Sequence, residues 1–286
     1  MTRFETVLEA GCELGEGPVW SVEQQALFFV DITGRRLHRY DPAASRHDSW
    51  PVDEDVGCIA PALRGGFVAA MRSGLWMLDE RGRKLRALSA NPEDPATSRF
   101  NDGKVDPAGR FWAGTLDEPK AGGQAGLYRY DRRGLARMAG GVLTSNGLAW
   151  SPDGRTLYHA DTPRFVVRAY DYDVETGEIA NGRVFLERDA STADRARPDG
   201  AAVDVEGCYW TALYDGGRVA RYDPDGRLMA EFAAPAKKVT MPAFGGADLK
   251  TLYLTSARDA ADEGGDLYAM EVEVAGLALR PFDPAV

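Results

Sequence analysis

Ser145-Asn146-Gly147-Leu148-Ala149-Trp150-Ser151-Pro152-Asp153-Gly154-Arg155-Thr156-Leu157-Tyr158-His159-Ala160 is the stretch that decides the fold, because its parts recur along the chain. An apolar run precedes a Pro-Asp-Gly turn, and a second apolar run with an aromatic residue in second place follows it. Two such runs joined by a turn are typical of paired β-strands. We therefore searched the sequence for further copies.

The aromatic run occurs six times, each time with the aromatic residue in second place. The copies are Leu27-Phe28-Phe29-Val30, Gly66-Phe67-Val68-Ala69, Arg110-Phe111-Trp112-Ala113, Leu157-Tyr158-His159-Ala160, Cys208-Tyr209-Trp210-Thr211 and Leu252-Tyr253-Leu254-Thr255. Successive aromatics lie 39, 44, 47, 51 and 44 residues apart. This spacing matches the length of a four-stranded propeller blade.

A second strand-like segment follows each copy, as in Val219-Ala220-Arg221-Tyr222-Asp223-Pro224, and most of these segments alternate apolar and polar residues. Helical periodicity is scarce, and no linker divides the chain. The sequence therefore predicts an all-β fold, a six-bladed β-propeller formed as a single domain over residues 1–286. A strand from Thr6-Val7-Leu8 is expected to pair with the last blade and close the ring.

Composition narrows the possible partners. The chain has 286 residues, a formal net charge of -10 and a sequence pI of about 4.9, which argue against nucleic-acid and anionic-membrane surfaces. A small molecule is the expected partner. The N-terminal residues lack the pattern of a signal peptide, so we expect a cytoplasmic protein. The three widely spaced cysteines predict buried thiols rather than disulfides.

One position in four repeats carries an oxygen-bearing side chain. Three of these residues stand eight positions before a turn glycine: Asn101 before Gly109, Asn146 before Gly154 and Asp199 before Gly207. Aligning the first repeat with the stretch quoted above places Glu16 in register with Asn146. Equivalent positions in a propeller form a ring about its axis, so these four side chains are expected to converge.

Two carboxylates and two amides suit a hard divalent cation better than a zinc-type structural site, which favours histidine or thiolate. The alternative is that each Asn or Asp beside a glycine is a turn residue bonding its own backbone, and for any single one this is the favoured interpretation. Four registered positions together, with Glu16 among them, favour a metal site. His38 and His159 lie within strand patterns and are interpreted as structural, with lining of the channel by His159 as the alternative.

With these motifs in place, the chain resembles the SMP30/gluconolactonase (regucalcin-like) family, six-bladed propellers that hydrolyse sugar lactones with a divalent metal. The resemblance covers nearly the whole chain. It is carried by Gly15-Glu16-Gly17-Pro18-Val19-Trp20, the stretch from Arg99 to Arg110, the stretch from Ser145 to Gly154, Pro198-Asp199-Gly200 and Phe244-Gly245-Gly246.

The resemblance implies that Glu16, Asn146 and Asp199 bind the metal and that Arg99 and Asn101 hold substrate hydroxyls. The family's further substrate-contacting glutamate follows a Gly-Thr-Met segment. Here Gly114-Thr115-Leu116-Asp117-Glu118-Pro119 places Glu118 near that position, although Pro119 can occupy the matching place itself. The loop from Asp117 to Ala125 is expected to form a rim or lid.

The expected reaction is hydrolysis of a sugar-derived lactone to the aldonic acid. The metal would polarise the carbonyl, and Asp199 or a metal-bound hydroxide would activate or supply the nucleophile. Two alternatives remain open: a non-catalytic calcium-binding or interaction propeller, and a related propeller esterase. The ion can be calcium, zinc, manganese, magnesium or iron(II). The sugar and the oligomeric state are left undetermined.

Overall fold

Six four-stranded antiparallel sheets build the protein, as predicted from the repeats. The computed structural model describes residues 3–191, 193, 195–261 and 263–286. Five sheets use four consecutive strands, and the sixth joins the first strand of the chain to the last three. In the described residues the helical structure is one 3-10 turn, Thr162–Arg164. The described part of the chain contains no helix long and apolar enough to cross a membrane.

Each sheet is one blade, and blades 1 to 6 follow the chain from β2 onward. The strands are β1 Glu5–Leu8, β2 Gly15–Ser21, β3 Ala26–Asp31, β4 Arg36–Asp41, β5 Arg46–Pro51, β6 Val56–Pro61, β7 Phe67–Met71, β8 Gly74–Leu78, β9 Lys84–Ala90, β10 Ser98–Val105, β11 Phe111–Asp117, β12 Ala125–Asp131, β13 Gly134–Val142, β14 Ser145–Trp150, β15 Thr156–Asp161, β16 Val166–Tyr172, β17 Ile179–Glu187, β18 Arg197–Val203, β19 Tyr209–Tyr214, β20 Arg218–Tyr222, β21 Leu228–Ala233, β22 Val239–Gly245, β23 Thr251–Ser256 and β24 Leu267–Glu271.

The inner strands β2, β6, β10, β14, β18 and β22 contact one another in this cyclic order and surround the channel. Burial falls from the axis outward: every residue of β14 is buried, whereas β21 is largely exposed. Inner strands are buried because each is covered by its own blade and by its neighbours.

The aromatic runs found in the sequence form the second strand of each blade. All six repeat aromatics are buried, with Phe111 and Tyr209 fully so. They fill the space between neighbouring blades: Phe28 of blade 1 meets Phe67 of blade 2 edge-on, with their ring centroids 4.9 Å apart. These contacts agree with the predicted role of the aromatics as blade core.

Aspartates fasten the turns after two inner strands. The Asp106 carboxylate accepts hydrogen bonds from the Arg110 amide at 3.0 Å and the Trp112 indole at 2.9 Å. The Asp204 carboxylate accepts the corresponding hydrogen bond from the Trp210 indole at 2.8 Å. A buried carboxylate with several N–H donors is stabilised in its charged form, so these bonds hold the end of the inner strand against the next strand.

Ring closure occurs as predicted. β1 pairs antiparallel with β24, with Thr6 opposite Tyr268 and Leu8 opposite Leu267. An isolated bridge between Leu14 and Ala257 adds a second connection between the two ends of the chain. The last blade is therefore complete only when the first strand is in place.

The C-terminal segment after β24 was not predicted as a structural element. It crosses the end of the channel opposite the strand starts, forming a bridge from Gly276 to Asp204 and another from Phe282 to Ala62. Phe282 is fully buried and packs against Phe111 and Tyr130, with ring centroids 6.4 and 6.1 Å apart. The segment thus links blade 5 to blades 2 and 3.

We expect Phe282→Ala to lower the free energy of unfolding by about 3 to 5 kcal/mol, because the lost ring leaves a cavity in a packed core. Urea unfolding followed by tryptophan fluorescence measures the change. Leu279→Ala is the matched control, since Leu279 lies in the same segment and is 41% exposed. Equal stability of the two variants would show that the segment only rests on the surface.

Candidate functional site

The four registered residues lie on inner strands at one end of the channel. Glu16 is on β2, Asn101 on β10, Asn146 on β14 and Asp199 on β18. All four are buried, with relative exposures of 3% to 7%. None stands in a turn, so the alternative of turn residues bonding their own backbone is wrong for these positions.

Interrupted strand pairing accompanies each of these residues. The register between the first two strands of a blade shifts between Glu16 and Val19, and again between Asn146 and Ala149. Shifts after Phe100 and after Pro198 enclose Asn101 and Asp199. A bulge bends the strand and changes the direction in which its side chains point. These four side chains therefore need not follow the alternation of a regular strand.

Two of these interruptions depend on glycine in the left-handed region. Gly17 has φ of 55° and Gly147 has φ of 62°, which other residues adopt only with strain. Space is restricted as well: a Cβ added to Gly147 would lie 2.4 Å from the Tyr209 hydroxyl. The glycines after Glu16 and Asn146 thus allow the interruption of strand pairing at these two positions.

A directed chain of hydrogen bonds joins three blades. Arg99 Nη1 donates to Asn101 Oδ1 at 2.8 Å, and Asn101 Nδ2 donates to Asn146 Oδ1 at 2.8 Å. Asn146 Nδ2 in turn donates to Asp199 Oδ1. All donors point towards Asp199, so each bond polarises the next and the negative end of the chain is its carboxylate.

Thr162 supports this chain and was missed by sequence reasoning. Its hydroxyl accepts from Asn146 Nδ2 at 2.9 Å and donates to the Pro198 carbonyl at 2.7 Å. It therefore connects the amide of Asn146 to the residue before Asp199. A threonine before a proline carries no repeat signal, so the sequence offered no way to find it.

Glu16 reaches the site from blade 1, away from the chain of hydrogen bonds. Its carboxylate accepts a bond from the Gly17 amide at 3.0 Å. Burial raises the pKa of Glu16 to about 8, and the charge of Asp102 adds to the rise. Burial together with the charges of Glu16 and Asp102 raises the pKa of Asp199 well above its usual range.

The burial and the charges of Glu16 and Asp199 indicate whether a metal ion fits between them. Two carboxylates more than nine-tenths buried lie close enough to repel each other, and neither forms an ion pair with any described residue. Uncompensated buried charge is unfavourable, and a cation relieves it. The donor set of carboxylate and amide oxygens suits a hard divalent ion, so the residues fit such an ion.

Two further charged groups lie below the ring. Asp102 is buried, accepts from the Leu148 amide at 3.0 Å, and has no partner for Oδ1 among the described residues. Lys104 donates to the Ala201 carbonyl at 2.6 Å, and burial lowers its pKa to about 8. Sequence reasoning missed both, because they lie between the ring position and the turn and have no counterpart in the other repeats.

Arg99 and Glu118 occupy the entrance above blades 2 and 3. Arg99 is buried, and it uses Nη1 for the Phe100 carbonyl and for Asn101. Glu118 is exposed and accepts from Arg72 at 2.6 Å. The charge of Glu118 acts on Arg99, so the two side chains share one electrostatic environment. The loop after Asp117 is exposed at this same end.

His159 does not line the channel. It lies on β15, the second strand of blade 4, and hydrogen-bonds the Ser145 hydroxyl at 2.7 Å. It is a structural strand residue, as predicted, and the alternative of lining the channel is wrong because the aromatic runs form second strands rather than inner strands. All three cysteines are buried and free, as predicted.

Two other groups of potential ligands occur among the described residues: Cys12 with Asp31 and His38, and Asp204 with Glu206 and Cys208. Their aspartates already have partners. Asp31 accepts from the amides of Glu13, Leu14 and Gly34, and Asp204 binds Trp210 and Arg221. Burial also raises the pKa of the Cys12 thiol. These groups are explained by fold contacts.

A cavity of about 270 Å³ lies at the other end of the channel and is lined by Trp20, Trp150 and Phe244 among others. None of the predicted site residues lines it. Its wall comes from the ends of the inner strands, whereas Glu16, Asn146 and Asp199 stand near their starts. The site residues predicted from the sequence therefore lie at the opposite mouth of the channel.

Comparison with known proteins agrees with this geometry. A family model described as the SMP-30/Gluconolactonase/LRE-like region matches residues 14–258. A 6-deoxy-6-sulfogluconolactonase of Pseudomonas putida is 46% identical over 274 residues, covering 93% of each chain. A regucalcin of Danio rerio is 39% identical over 259 residues, covering 89% of this chain and 86% of the relative. The crystal structure of a calcium-binding protein, regucalcin, from Agrobacterium tumefaciens superposes with a TM-score of 0.91 at 28% identity, covering 97% of this chain and 96% of that one.

The raised pKa of Glu16 predicts a pH-dependent stability in chelator-treated protein. The folded state holds a proton on Glu16 up to about pH 8, while the unfolded chain releases it near 4.5. The contribution of Glu16 to the free energy of unfolding is fully present below pH 4.5. It falls as the pH rises above 4.5 and is lost once the pH has passed 8. Relative to wild type, Glu16→Gln should therefore gain stability between pH 5 and pH 8.

Urea unfolding at several pH values measures this difference. The control is Glu80→Gln, because Glu80 is exposed and the substitution should not change the pH slope. A divalent ion added to wild type should raise the melting temperature more at pH 8 than at pH 6, since ligands must lose their protons. Parallel pH profiles of wild type and Glu16→Gln would contradict the raised pKa.

Proposed function

Since this chain belongs to the SMP-30/gluconolactonase/LRE-like family, we propose that it is a metal-dependent hydrolase that opens a sugar-derived lactone to the corresponding aldonic acid. The observation that carries this proposal is the pair of buried carboxylates, Glu16 and Asp199, beside the amide of Asn146 at the mouth of the channel. A relative named as a lactonase covers nearly the whole chain and supports the same reaction class.

Glu16, Asn146 and Asp199 are proposed to hold one divalent ion. Calcium is the first candidate because its ligands are carboxylate and amide oxygens and because a related structure is described as a calcium-binding protein. Zinc, manganese, magnesium and iron(II) are the alternatives to be compared. When bound, such an ion supplies Lewis-acid chemistry, stabilising negative charge on the carbonyl oxygen of the lactone.

Asp199 is proposed to take a proton from the attacking water. Water adds to the carbonyl carbon, the bond between that carbon and the ring oxygen breaks, and the ring oxygen leaves with a proton as a hydroxyl group. The product is an open hydroxy acid. Asp199 suits the task because its side chain is fixed by a hydrogen bond from Asn146 and lies within reach of the charge of Glu16 from blade 1.

Arg99 and Asn101 are proposed to hold the hydroxyl groups of the substrate. Nη1 makes both of the hydrogen bonds of the Arg99 side chain among the described residues, which leaves its other N–H groups for a ligand. Asn101 already makes bonds to Arg99, Ser145 and Asn146. Its main contribution is therefore to hold Arg99 and Asn146 in place, and a direct bond to substrate requires it to exchange one partner.

The binding-module alternative deserves its own test because regucalcins are among the relatives and one is described as calcium-binding. A purely structural ion would change the melting temperature without creating any hydrolytic activity. An esterase would hydrolyse simple esters as well as lactones. Both outcomes can be separated from lactonase activity in one assay.

The first test is acid release from a panel of aldonolactones and simple esters, using chelator-treated protein resupplied with each ion in turn. The sulfonated hexonolactone of the Pseudomonas relative belongs in the panel. We expect metal-dependent hydrolysis, with kcat reduced about 100-fold or more in Asp199→Ala because a general base contributes that much. Glu16→Gln should lower the affinity for the ion and reduce activity in parallel.

Asp171→Asn is the matched control, because Asp171 is an exposed aspartate paired with Arg183 on an outer part of blade 4. It should retain full activity. Ion binding without hydrolysis of any substrate would replace this proposal with the binding-module alternative. Hydrolysis of esters but of no lactone would favour the esterase.

Glu118 gives a separate prediction at the entrance. Glu118→Gln removes the charge that pairs with Arg72 and that acts on Arg99. We expect the KM for the lactone to rise about three- to tenfold, with kcat nearly unchanged, because an exposed hydrogen-bonding group contributes to binding rather than to the reaction itself. Steady-state kinetics measure both constants. Unchanged KM would assign the matching position to Pro119 and remove Glu118 from the substrate-binding set.

A further inference from the structure

Arg197 and Tyr214 form one wall of the site on blade 5. They are opposite each other where β18 pairs with β19. The Arg197 guanidinium carbon lies 5.1 Å from the centroid of the Tyr214 ring, and Nη2 donates to the Asp215 carboxylate. The Tyr214 ring packs against one face of the guanidinium, and Asp215 accepts a hydrogen bond at one edge of it. The plane of the guanidinium is therefore fixed before any ligand binds.

Most of the donors on this guanidinium are unused. Nε is buried and has no partner in the described part of the chain. A guanidinium has five N–H donors, and Asp215 is the acceptor that the described residues supply to this side chain. An unsatisfied buried donor is unfavourable unless an acceptor arrives. The ion pair with Asp215 explains the position of Arg197 but leaves these donors without a role.

The wall borders the proposed metal ligands. The charge of Arg197 lowers the pKa of Asp199, opposing the larger effect of burial. Burial raises the pKa of Tyr214 to about 12, and the charges of Asp199 and Asp215 add to the rise. Arg197 stands two residues before Asp199 on the same strand and opposite Tyr214, so both side chains lie beside the carboxylate that is proposed to activate water.

A second cation approaches the same ring from blade 6. The Lys238 ammonium lies 6.0 Å from the Tyr214 ring centroid. Lys238 is half-buried and forms no ion pair within 4.0 Å among the residues described, although Asp259 is within reach of its charge. Two cations thus lie near the ring of Tyr214 beside the site, and Asp215 is the one anion that pairs directly with them among the residues the structure describes.

We propose that Arg197, Tyr214 and Lys238 form an anion subsite, and that the lactone opened here carries a sulfonate or carboxylate group at the end of the sugar distant from the lactone carbonyl. This inference rests on the proposed function. Guanidinium N–H groups match the oxygens of such an anion in a forked arrangement, and the ammonium adds a point charge. A neutral hydroxymethyl group offers neither the charge nor the paired acceptors.

The first experiment uses the wild-type protein loaded with its preferred ion. Values of kcat/KM are compared for glucono-lactone, for its 6-deoxy-6-sulfo derivative and for the lactone of the matching six-carbon diacid. We expect the charged lactones to be preferred at least about tenfold, the usual gain from a charge-assisted forked contact. The preference should fall with added salt because screening weakens the charge interaction. The two charged substrates distinguish sulfonate from carboxylate recognition.

The second experiment uses variants. Arg197→Gln should lower the ratio of charged to neutral kcat/KM at least about tenfold, and Arg197→Lys should recover only part of it, because lysine keeps the charge but not the fork. Lys238→Gln should have a smaller effect of about two- to fivefold. Arg183→Gln is the control, since Arg183 pairs with Asp171 away from the site. Melting temperatures verify that each variant is folded.

The outcomes separate the two proposals. Lactone hydrolysis without a preference for charged substrates in wild type overturns the anion subsite and leaves the lactonase intact. Equal losses on neutral and charged lactones in Arg197→Gln also overturn it and make the Arg197–Asp215 pair structural. The absence of hydrolysis of any lactone with any ion overturns the proposed function and the subsite with it.

Discussion

The pairing of β1 with β24 is the constraint on which the site depends. Glu16 is near the start of the chain and Asp199 is in the fifth blade, and only a closed ring brings both to one axis. Inner strands begin at the same mouth of the channel, so one residue from each converges without any long loop. Because the proposed ligands stand on strands rather than on loops, the closed ring of blades fixes their separation.

Buried charged side chains distinguish the centre of this propeller from a packed apolar core. Three buried carboxylates, Glu16, Asp102 and Asp199, face two buried cations, Arg99 and Lys104. Burial raises the pKa of each carboxylate and lowers the pKa of each cation, so every member is held in an unfavourable environment. Strain of this kind is usual where a protein is organised around a ligand. The hydrogen-bond chain from Arg99 to Asp199 keeps the two charged groups at its ends ordered despite that cost.

The six blades could be predicted from the repeats in the sequence. The constant spacing between the turn glycine and the residue at the channel mouth could be predicted as well, because the strands of a propeller have similar lengths. The register shifts beside Glu16 and Asn146 were not readable, since a bulge depends on pairing between strands. Asp102, Lys104 and Thr162 were missed for a related reason: each matters through a contact with another blade. The segment ending at Phe282 has no repeat pattern, and its place is set by the shape of the channel mouth.

The proposed metal ligands and the proposed substrate-selecting residues stand in different parts of this fold. The proposed ligands stand near the starts of inner strands, where a change of side chain disturbs the ring itself. Arg197 and Glu118 lie at the edge of the mouth, at the first residue of β18 and just past the end of β11. Each forms an ion pair with a residue outside the inner strands, Arg197 with Asp215 and Glu118 with Arg72. They can therefore be exchanged without loss of closure, so the proposed metal ligands are compatible with lactones that differ in the charge of their distant end.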